Sequence, residues 1–564
     1  MSVFKRAHGV AGVAAGLFGG CLLAAMVAVP AAAQQQTCKQ VDDVADTLDA
    51  QPQVPCDFAT ASSGDMLAEH YRFAWNTFFA LNWPALDPGT TRGVPDTSKT
   101  FADAGTPVWD TWKEKRQLYR VEALIGGQIW STADPGPFQT APTGHDPNSS
   151  IPMCRGETAP QGRVQVLQAS KVDNFADETD EIGLVALWDA ETDYPTDKSL
   201  IRYQVKFNQD YWDYVRNNGF YATDKLNQFI SQSTSQSAPV GKVDFPMSSN
   251  STSNQGAIML KTGWRMLEGQ ADDQSNYYTV EMLYYDVEES QTCFRSAPFG
   301  LIAIHIVRKT EQFPYFFYST FEHKENYPDV YAYANTNITN DAAVPTSLQP
   351  SSCPGVTVPS SGSPKSAILP NGCGIAYTDP KHPIVGVTPA GVAQYKADRL
   401  IPPRPALGTV NAEAETLTQG SVWNHYRLVG VQAVPVDGKL NDTNPASDQD
   451  YYLANPVVET SQRFQYFTGD FSSPRVVNIY KDDGSRVMMG GCMGCHGAGA
   501  QGASRSYQDV AKMSGGSGGT DFSFTLQNIR SAPSGPSAAE SLEDVCSEIN
   551  LVYDAANRAC MPPS

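Results

Sequence analysis

Positive charge and histidine are scarce in this chain. Its 564 residues hold 40 Lys and Arg against 60 Asp and Glu, with 8 His and a formal net charge of −20. Lys5 and Arg6 sit at the extreme N-terminus, so the rest of the chain is more acidic still. A surface of that sign disfavours nucleic acid and anionic membranes as partners. It favours solubility, and it also suits a basic redox partner. Past the N-terminal run, no stretch approaches the ~18 uninterrupted apolar residues of a membrane span. No fixed-period repeat occurs. There is no strand–turn–helix serine elbow, phosphate loop or zincin helix to support a hydrolase or a nucleotide enzyme. What remains is globular in composition, with 41% hydrophobic and 10% aromatic residues.

Residues 1–33 read as a signal peptide. Lys5 and Arg6 form its positive end, an apolar run extends from Val10 to Val29, and Ala31-Ala32-Ala33 offers a small-residue cleavage site before Gln34. Lipidation at Cys21 is disfavoured because the apolar run continues past it. A periplasmic or secreted location is expected. Of the 11 cysteines, Cys21 and a pair near the C-terminus are set aside. The others are Cys38, Cys56, Cys154, Cys293, Cys353, Cys373, Cys546 and Cys560. An even number in an exported chain reads as disulfides. Proximity suggests Cys38–Cys56, Cys353–Cys373 and Cys546–Cys560, leaving Cys154–Cys293 as a long staple.

The pair set aside belongs to Gly491-Cys492-Met493-Gly494-Cys495-His496-Gly497. Cys-x-x-Cys-His is the pattern that fixes haem covalently in c-type cytochromes. Two thiols on one helical turn add to the two vinyl groups of one porphyrin, and the adjacent imidazole becomes the proximal iron ligand. Cys492 and Cys495 are therefore the expected tethers of one haem c, and His496 the expected ligand of its iron. A redox-active thiol pair would want a βαβ context, and the surroundings are glycine-rich. A zinc site would want a second Cys/His pair at similar spacing, which is absent.

Periodicity predicts an α+β fold, a large and mainly antiparallel sheet with packed helices. A helix is expected over 65–81, ended by Asn82-Trp83-Pro84. Val108–Lys113 reads as the opening of another, and Asn208–Asn218 with Ala222–Ser231 as a short helical pair. Strands are expected at Gly183–Asp189, Leu200–Phe207, Ala257–Leu267, Tyr277–Val287, Phe299–Lys309, Pro314–His323 and Trp423–Val434. Residues 131–163 and 340–380 read as irregular. Only 68 residues follow His496, too few and too polar to wrap a porphyrin alone. The division expected is an α+β domain over 34–439, a haem-binding segment of cytochrome c type packed on it over 440–530, and an extension over 531–564.

Several stretches carry a resemblance: Phe73-Ala74-Trp75-Asn76-Thr77-Phe78-Phe79-Ala80-Leu81-Asn82-Trp83-Pro84, Lys261-Thr262-Gly263-Trp264-Arg265, His305-Ile306-Val307-Arg308-Lys309 and Ser319-Thr320-Phe321-Glu322-His323. Leu453-Ala454-Asn455-Pro456, the Cys-x-x-Cys-His and Asp521-Phe522-Ser523-Phe524 add to it. Together the chain resembles a family of large, exported bacterial single-haem c-type cytochromes. The resemblance implies haem and export, and supplies no substrate.

Function turns on the far side of the haem. A sixth ligand makes an electron carrier, whereas an open position permits peroxide or oxygen chemistry. The candidates for that ligand are Met513, His323 and His305. His70 and His425 read as packing residues, and His145 and His382 as loop residues. If β-strands Phe299–Lys309 and Pro314–His323 turn near Glu311, His305 faces Phe317 and His323 faces Phe299, too far apart to share one iron. Periplasmic electron transfer is the first reading. A haem-dependent oxidoreductase is the alternative, with walls from Trp75, Trp83, Phe317 and Trp423 and acid–base help from His323 with Glu322, or from His305. A haem-bearing sensor or binding protein is the third.

Overall fold

A helix that is apolar on every side has to be buried on every side. In the computed structural model Met66–Leu81 (α1) is such a helix, with Tyr71, Trp75, Phe78 and Phe79 among its buried residues. Asn82 ends it: the side-chain amide donates to the Phe78 carbonyl (2.8 Å), and Oδ1 accepts from the Trp109 indole (2.8 Å).

The structure describes residues 36–40, 48–58, 66–119, 121–124, 127–130, 133–140, 152–158, 165–167, 202–232, 243–267, 274–288, 291–324 and 405–434. Short pieces follow at 367–368, 374–375, 386–387, 393–394, 453, 455, 477–480, 486–489, 492–493, 526, 552–554 and 559–561. All belong to one compact unit, Gln36–Ser564.

The further helices are Lys115–Leu118 (α2), Gln209–Asn217 (α3), Thr223–Gln232 (α4) and Pro405–Thr418 (α5). The first strands are Lys113–Glu114 (β1), a hairpin of Val121–Leu124 and Gly127–Trp130 (β2, β3), and Gln165–Val166 (β4). Arg202–Phe207 (β5), Ile258–Met266 (β6), Thr279–Glu288 (β7), Gln291–Arg308 (β8) and Phe317–His323 (β9) come next. Ala367–Ile368 pairs with Gly374–Ile375 (β10, β11) and Gly386–Val387 with Ala393–Gln394 (β12, β13). Then follow Tyr426–Gln432 (β14), the pair Val477–Tyr480 and Arg486–Met489 (β15, β16), and the pair Val552–Asp554 and Ala559–Met561 (β17, β18).

The main sheet runs β1-β5-β6-β8-β7-β4, with β9 on β8 and β14 on β9. Its pairs are antiparallel except β4–β7. The fold is therefore α+β. β8 is its spine: the first half pairs with β7, and the second half lies between β6 and β9. One face of the sheet packs on α1, where Phe317 meets Phe73 edge-on and Phe321 stacks on Phe78 at 4.3 Å. Arg308, on the same face, is wholly buried; it donates to Thr77 Oγ1 (2.9 Å) and the Pro55 carbonyl (2.7 Å) and lies over the Phe73 ring.

A polar knot closes the curl of the sheet. The Lys206 ammonium donates to Asp110 Oδ1 (2.6 Å), the Asp110 carbonyl (2.6 Å) and Gln165 Oε1 (2.8 Å), which uses all three of its donors. Gln165 also donates to both Asp110 oxygens and accepts from Gln204, while the Tyr278 hydroxyl donates to Asp110 Oδ2 (2.8 Å). Gln165 is on margin strand β4, and Gln204 and Lys206 are on β5, next to the opposite margin. Two disulfides, Cys38–Cys56 and Cys154–Cys293, join the pairs that proximity suggested. Cys353–Cys373, the Cys546–Cys560 side chains and Gly183–Asp189 lie outside the described residues.

Three expectations need correction. Val108–Lys113 opens no α-helix: Val108–Thr111 is a single 3-10 turn, and Lys113 enters β1 opposite Phe207. Aromatics three apart, such as Trp109 and Trp112, satisfy a 3-10 turn as well as an α-helix. β8 begins at Gln291, eight residues before the apolar run, because its first half is a half-exposed ladder with β7. The β8–β9 pair places His305 opposite Thr320, not Phe317. α5 and the β2–β3 hairpin had no clear signal in the sequence.

Candidate functional site

The Cys-x-x-Cys-His chemistry needs its thiols and imidazole on one helical turn. Cys492 and Met493 are helical and buried, while Cys495 and His496 lie outside the described residues. The Met493 N–H donates to Gln432 Oε1 (2.7 Å), and the Cys492 thiol lies 3.8 Å from the Leu453 carbonyl. Two residues further, Asn455 donates to Thr320 Oγ1 (2.8 Å) and to the Phe321 carbonyl (3.2 Å). Cys492, Met493, Leu453 and Leu526 all join the hydrophobic core. The Cys492 thiol is thus buried among apolar groups on a helical piece of the chain, a setting compatible with a thioether tether.

Which face of the sheet receives this turn follows from register. Gln432 pairs with Tyr318, Gly430 with Thr320 and Arg427 with Glu322. Across β9, Tyr318 pairs with Val307, Thr320 with His305 and Glu322 with Ala303. Paired residues share a face and alternate residues return to it. Gln432, Thr320, His305, Ala303, Glu322 and Arg427 therefore stand on the face opposite α1. Lys261 and Gly263 of β6, the partners of His305 and Ala303, continue it. Gly263, Ala303 and Gly430 are small and buried, whereas Lys261 and Thr320 flank His305 directly and Asn455 stands on Thr320. His305 itself is half-buried.

His323 lies on the other face. Its ring stacks on Tyr277 at 4.1 Å, runs parallel to His425 at 5.8 Å and meets Tyr426 edge-on. One ring nitrogen, Nε2, bonds the Asn276 carbonyl at 2.9 Å. Burial pushes its imidazole down to about 4, with His425 and Arg265 adding to the shift against the Asn276 carbonyl and Glu322. Glu322, the preceding residue, points the opposite way and pairs with Arg427 at 3.0 Å. His323 and Glu322 therefore cannot act together on one substrate. His70 is a core residue packed between Phe58 and Phe313. Met513, His145 and His382 lie outside the described residues.

Trp75, Trp83, Phe317 and Trp423 are all buried core residues. Cys154, Glu288 and Cys293 approach one another closely enough for a metal, but both sulfurs are spent in a disulfide and Glu288 bonds the Arg155 N–H and Arg295. Gln432 and Asn455, which anchor the motif, were missed by sequence reasoning. Only the Leu453-Ala454-Asn455-Pro456 stretch hinted at one of them. Compared with family models, curated proteins and solved structures, the chain matches none.

Proposed function

We propose that this chain is an exported c-type haem protein that passes single electrons, with Cys492 and Cys495 as covalent tethers and His496 as proximal iron ligand. The observation that carries the proposal, beside the motif itself, is the seating of the Cys492 turn against the sheet through Met493 and Gln432. When bound, haem c supplies a reversible one-electron change at iron, tuned by axial ligand, burial and nearby hydrogen bonds. The chain's own residues do the rest. Gln432 and Asn455 fix the motif on the sheet, and the sheet serves as a wall that keeps water from one side of the site. On this reading residues 34–439 form the body, 440–530 the haem-bearing segment of cytochrome c type and 531–564 an extension. Kinship with the large exported single-haem cytochromes belongs to the same proposal.

Two disulfides support an oxidising compartment such as the periplasm. The acidic surface suits a basic redox partner. Among the described residues no helix is long and apolar enough to cross a membrane. The aromatic residues that a substrate-cleft enzyme would use are packed around α1, which favours the carrier over the oxidoreductase. Spectra of the oxidised and dithionite-reduced holoprotein, with and without carbon monoxide, test this. Sharp low-spin bands unmoved by carbon monoxide support the carrier. A high-spin spectrum that takes up carbon monoxide at once contradicts it and favours the oxidoreductase.

A further inference from the structure

Where the Cys38–Cys56 segment meets the chain leading into β6, three buried oxygens have no hydrogen donor among the described residues. Thr37 forms an antiparallel bridge with Asn254. That register sets Gln36 opposite Gln255 on one face, with Cβ atoms about 5 Å apart. Both residues are buried, Gln36 at 7% and Gln255 at 6% exposure. The Gln36 amide nitrogen donates to the Arg92 carbonyl (3.0 Å), and that of Gln255 to the Thr37 carbonyl (3.4 Å). Each carboxamide is thereby oriented, and its Oε1 is the atom left over. Asp210, in the first turn of α3, lies against the same piece of chain, since its carboxylate accepts from the Gly256 and Gln255 N–H groups. Its Oδ2 is the third oxygen. Hydrogen bonds tie the far side of the group as well: Gln139 donates to the same Arg92 carbonyl (3.3 Å) and to Oε1 of Gln209 (3.1 Å), the neighbour of Asp210.

A buried acceptor needs a donor or a positive charge. A water brings hydrogens but no charge, and the carboxylate lacks a counter-charge. The charge acting on it most strongly is that of Asp213, which has the same sign. Cationic side chains of this region are bonded to other groups, Arg92 to the Thr111 and Thr140 carbonyls and Arg216 to Asp134.

We propose that Asp210 Oδ2, Gln36 Oε1 and Gln255 Oε1 form a calcium site that fastens the Cys38–Cys56 segment to α3. One carboxylate and two carboxamides are the hard, oxygen-only donors that calcium takes, with waters completing its shell. They offer neither the sulfur nor the nitrogen that zinc prefers. Magnesium demands a stricter octahedron than two long amides and a carboxylate from three segments supply. With a single carboxylate the affinity belongs to the range of extracellular modules, a Kd of about 10⁻⁴–10⁻³ M.

The experiment is thermal unfolding of the purified full chain as wild type, Asp210→Asn and Gln255→Met, in a chelator and in titrations of calcium or magnesium at constant ionic strength. Calcium should raise the wild-type midpoint saturably, and magnesium should raise it far less. For Asp210→Asn the sign of the effect should reverse. In chelator the variant is at least as stable as wild type, because an uncompensated carboxylate is gone; in calcium it is less stable. A purely structural Asp210 gives the same difference in both buffers and overturns the proposal. Gln255→Met keeps the carboxylate and loses one oxygen, so it should need several-fold more calcium for the same shift, and it decides where Asp210→Asn folds poorly. Equal wild-type midpoints in calcium and chelator overturn the proposal. An equal calcium response in wild type and both variants places the ion on the acidic surface and overturns it too. A magnesium response as large as that to calcium overturns the assignment of the ion.

Discussion

The side chain of Asn411 bonds both backbone groups of Leu428: Oδ1 accepts from the N–H at 3.2 Å and Nδ2 donates to the carbonyl at 2.9 Å. Leu428 stands at a β-bulge, where β14 steps from opposite Phe321 to opposite Thr320 with Val429 as the extra residue. A bulge leaves ladder groups without strand partners, and Asn411 of α5 supplies them. The same oxygen also accepts from the Trp75 indole at 3.0 Å. In an unbulged pairing Val431 would sit opposite Tyr318, because a one-residue slip exchanges faces. The bulge is thus what turns Gln432 towards the Cys492 segment.

Asn411→Leu should therefore destabilise the protein by about 1–3 kcal/mol, the cost of leaving partly buried polar groups unpaired. Denaturant midpoints measure this. A change within a few tenths of a kcal/mol would mean that the bulge is held by something other than α5.

The Lys206–Asp110 pair is 1% exposed on each side. Removing one partner of such a pair leaves a buried, uncompensated charge. Lys206→Met should cost about 3–5 kcal/mol, and Lys206→Met with Asp110→Leu should recover part of that loss. If the double variant is no more stable than the single one, the knot acts through the Gln165 and Tyr278 hydrogen bonds and not through charge.

His323 makes stability depend on pH. Its folded value of about 4 lies below the ordinary 6.5, so the unfolded chain binds more protons between these values. The His323 contribution to stability is complete above about 6.5 and is lost as pH drops towards 4, by up to about 3 kcal/mol. His323→Gln, which cannot ionise, should show a shallower loss over that window. An identical slope would assign the acid sensitivity to other groups.

Asp210 acts in the opposite direction. Burial raises its carboxyl to about 6, and Asp213 adds to this against the Gly256 and Gln255 N–H groups. Here the folded chain binds more protons, so stability falls as pH rises from about 4 to 6. At pH near 7 Asp210→Asn should gain about 2–3 kcal/mol, and the gain should vanish near pH 4. Thermal unfolding at both pH values checks it; an equal difference at each would exclude a titration effect.

How much of this was legible in the sequence depends on what each signal physically reports. α1 was plain because an all-round apolar helix has one solution. β6, β7, β9 and β14 followed from alternation. The His305–Thr320 register was not legible, since the turn between β8 and β9 absorbs a variable number of residues. A three-residue error there moved His323 to the other face. The knot was hidden for a different reason: Arg202, Gln204 and Lys206 alternate with apolar residues, which reads as a solvent face until Asp110 and Gln165 cover it. α5 contains Gly408 and Asn411, poor helix formers that weaken its signal, and Asn411 is placed by its bonds to Trp75 and Leu428. The site was half legible: the motif was written in five residues, and its anchors Gln432 and Asn455 depend on a bulge and a loop.

Covalent haem attachment is read most directly from the mass of the denatured chain, purified from a bacterial host that has covalent haem-attachment machinery. The wild-type chain should carry the added mass of one haem that survives denaturation, and Cys492→Ala with Cys495→Ala should remove it. A wild-type chain without that mass, or a double variant that keeps it, would contradict the assignment of Cys492 and Cys495 as tethers.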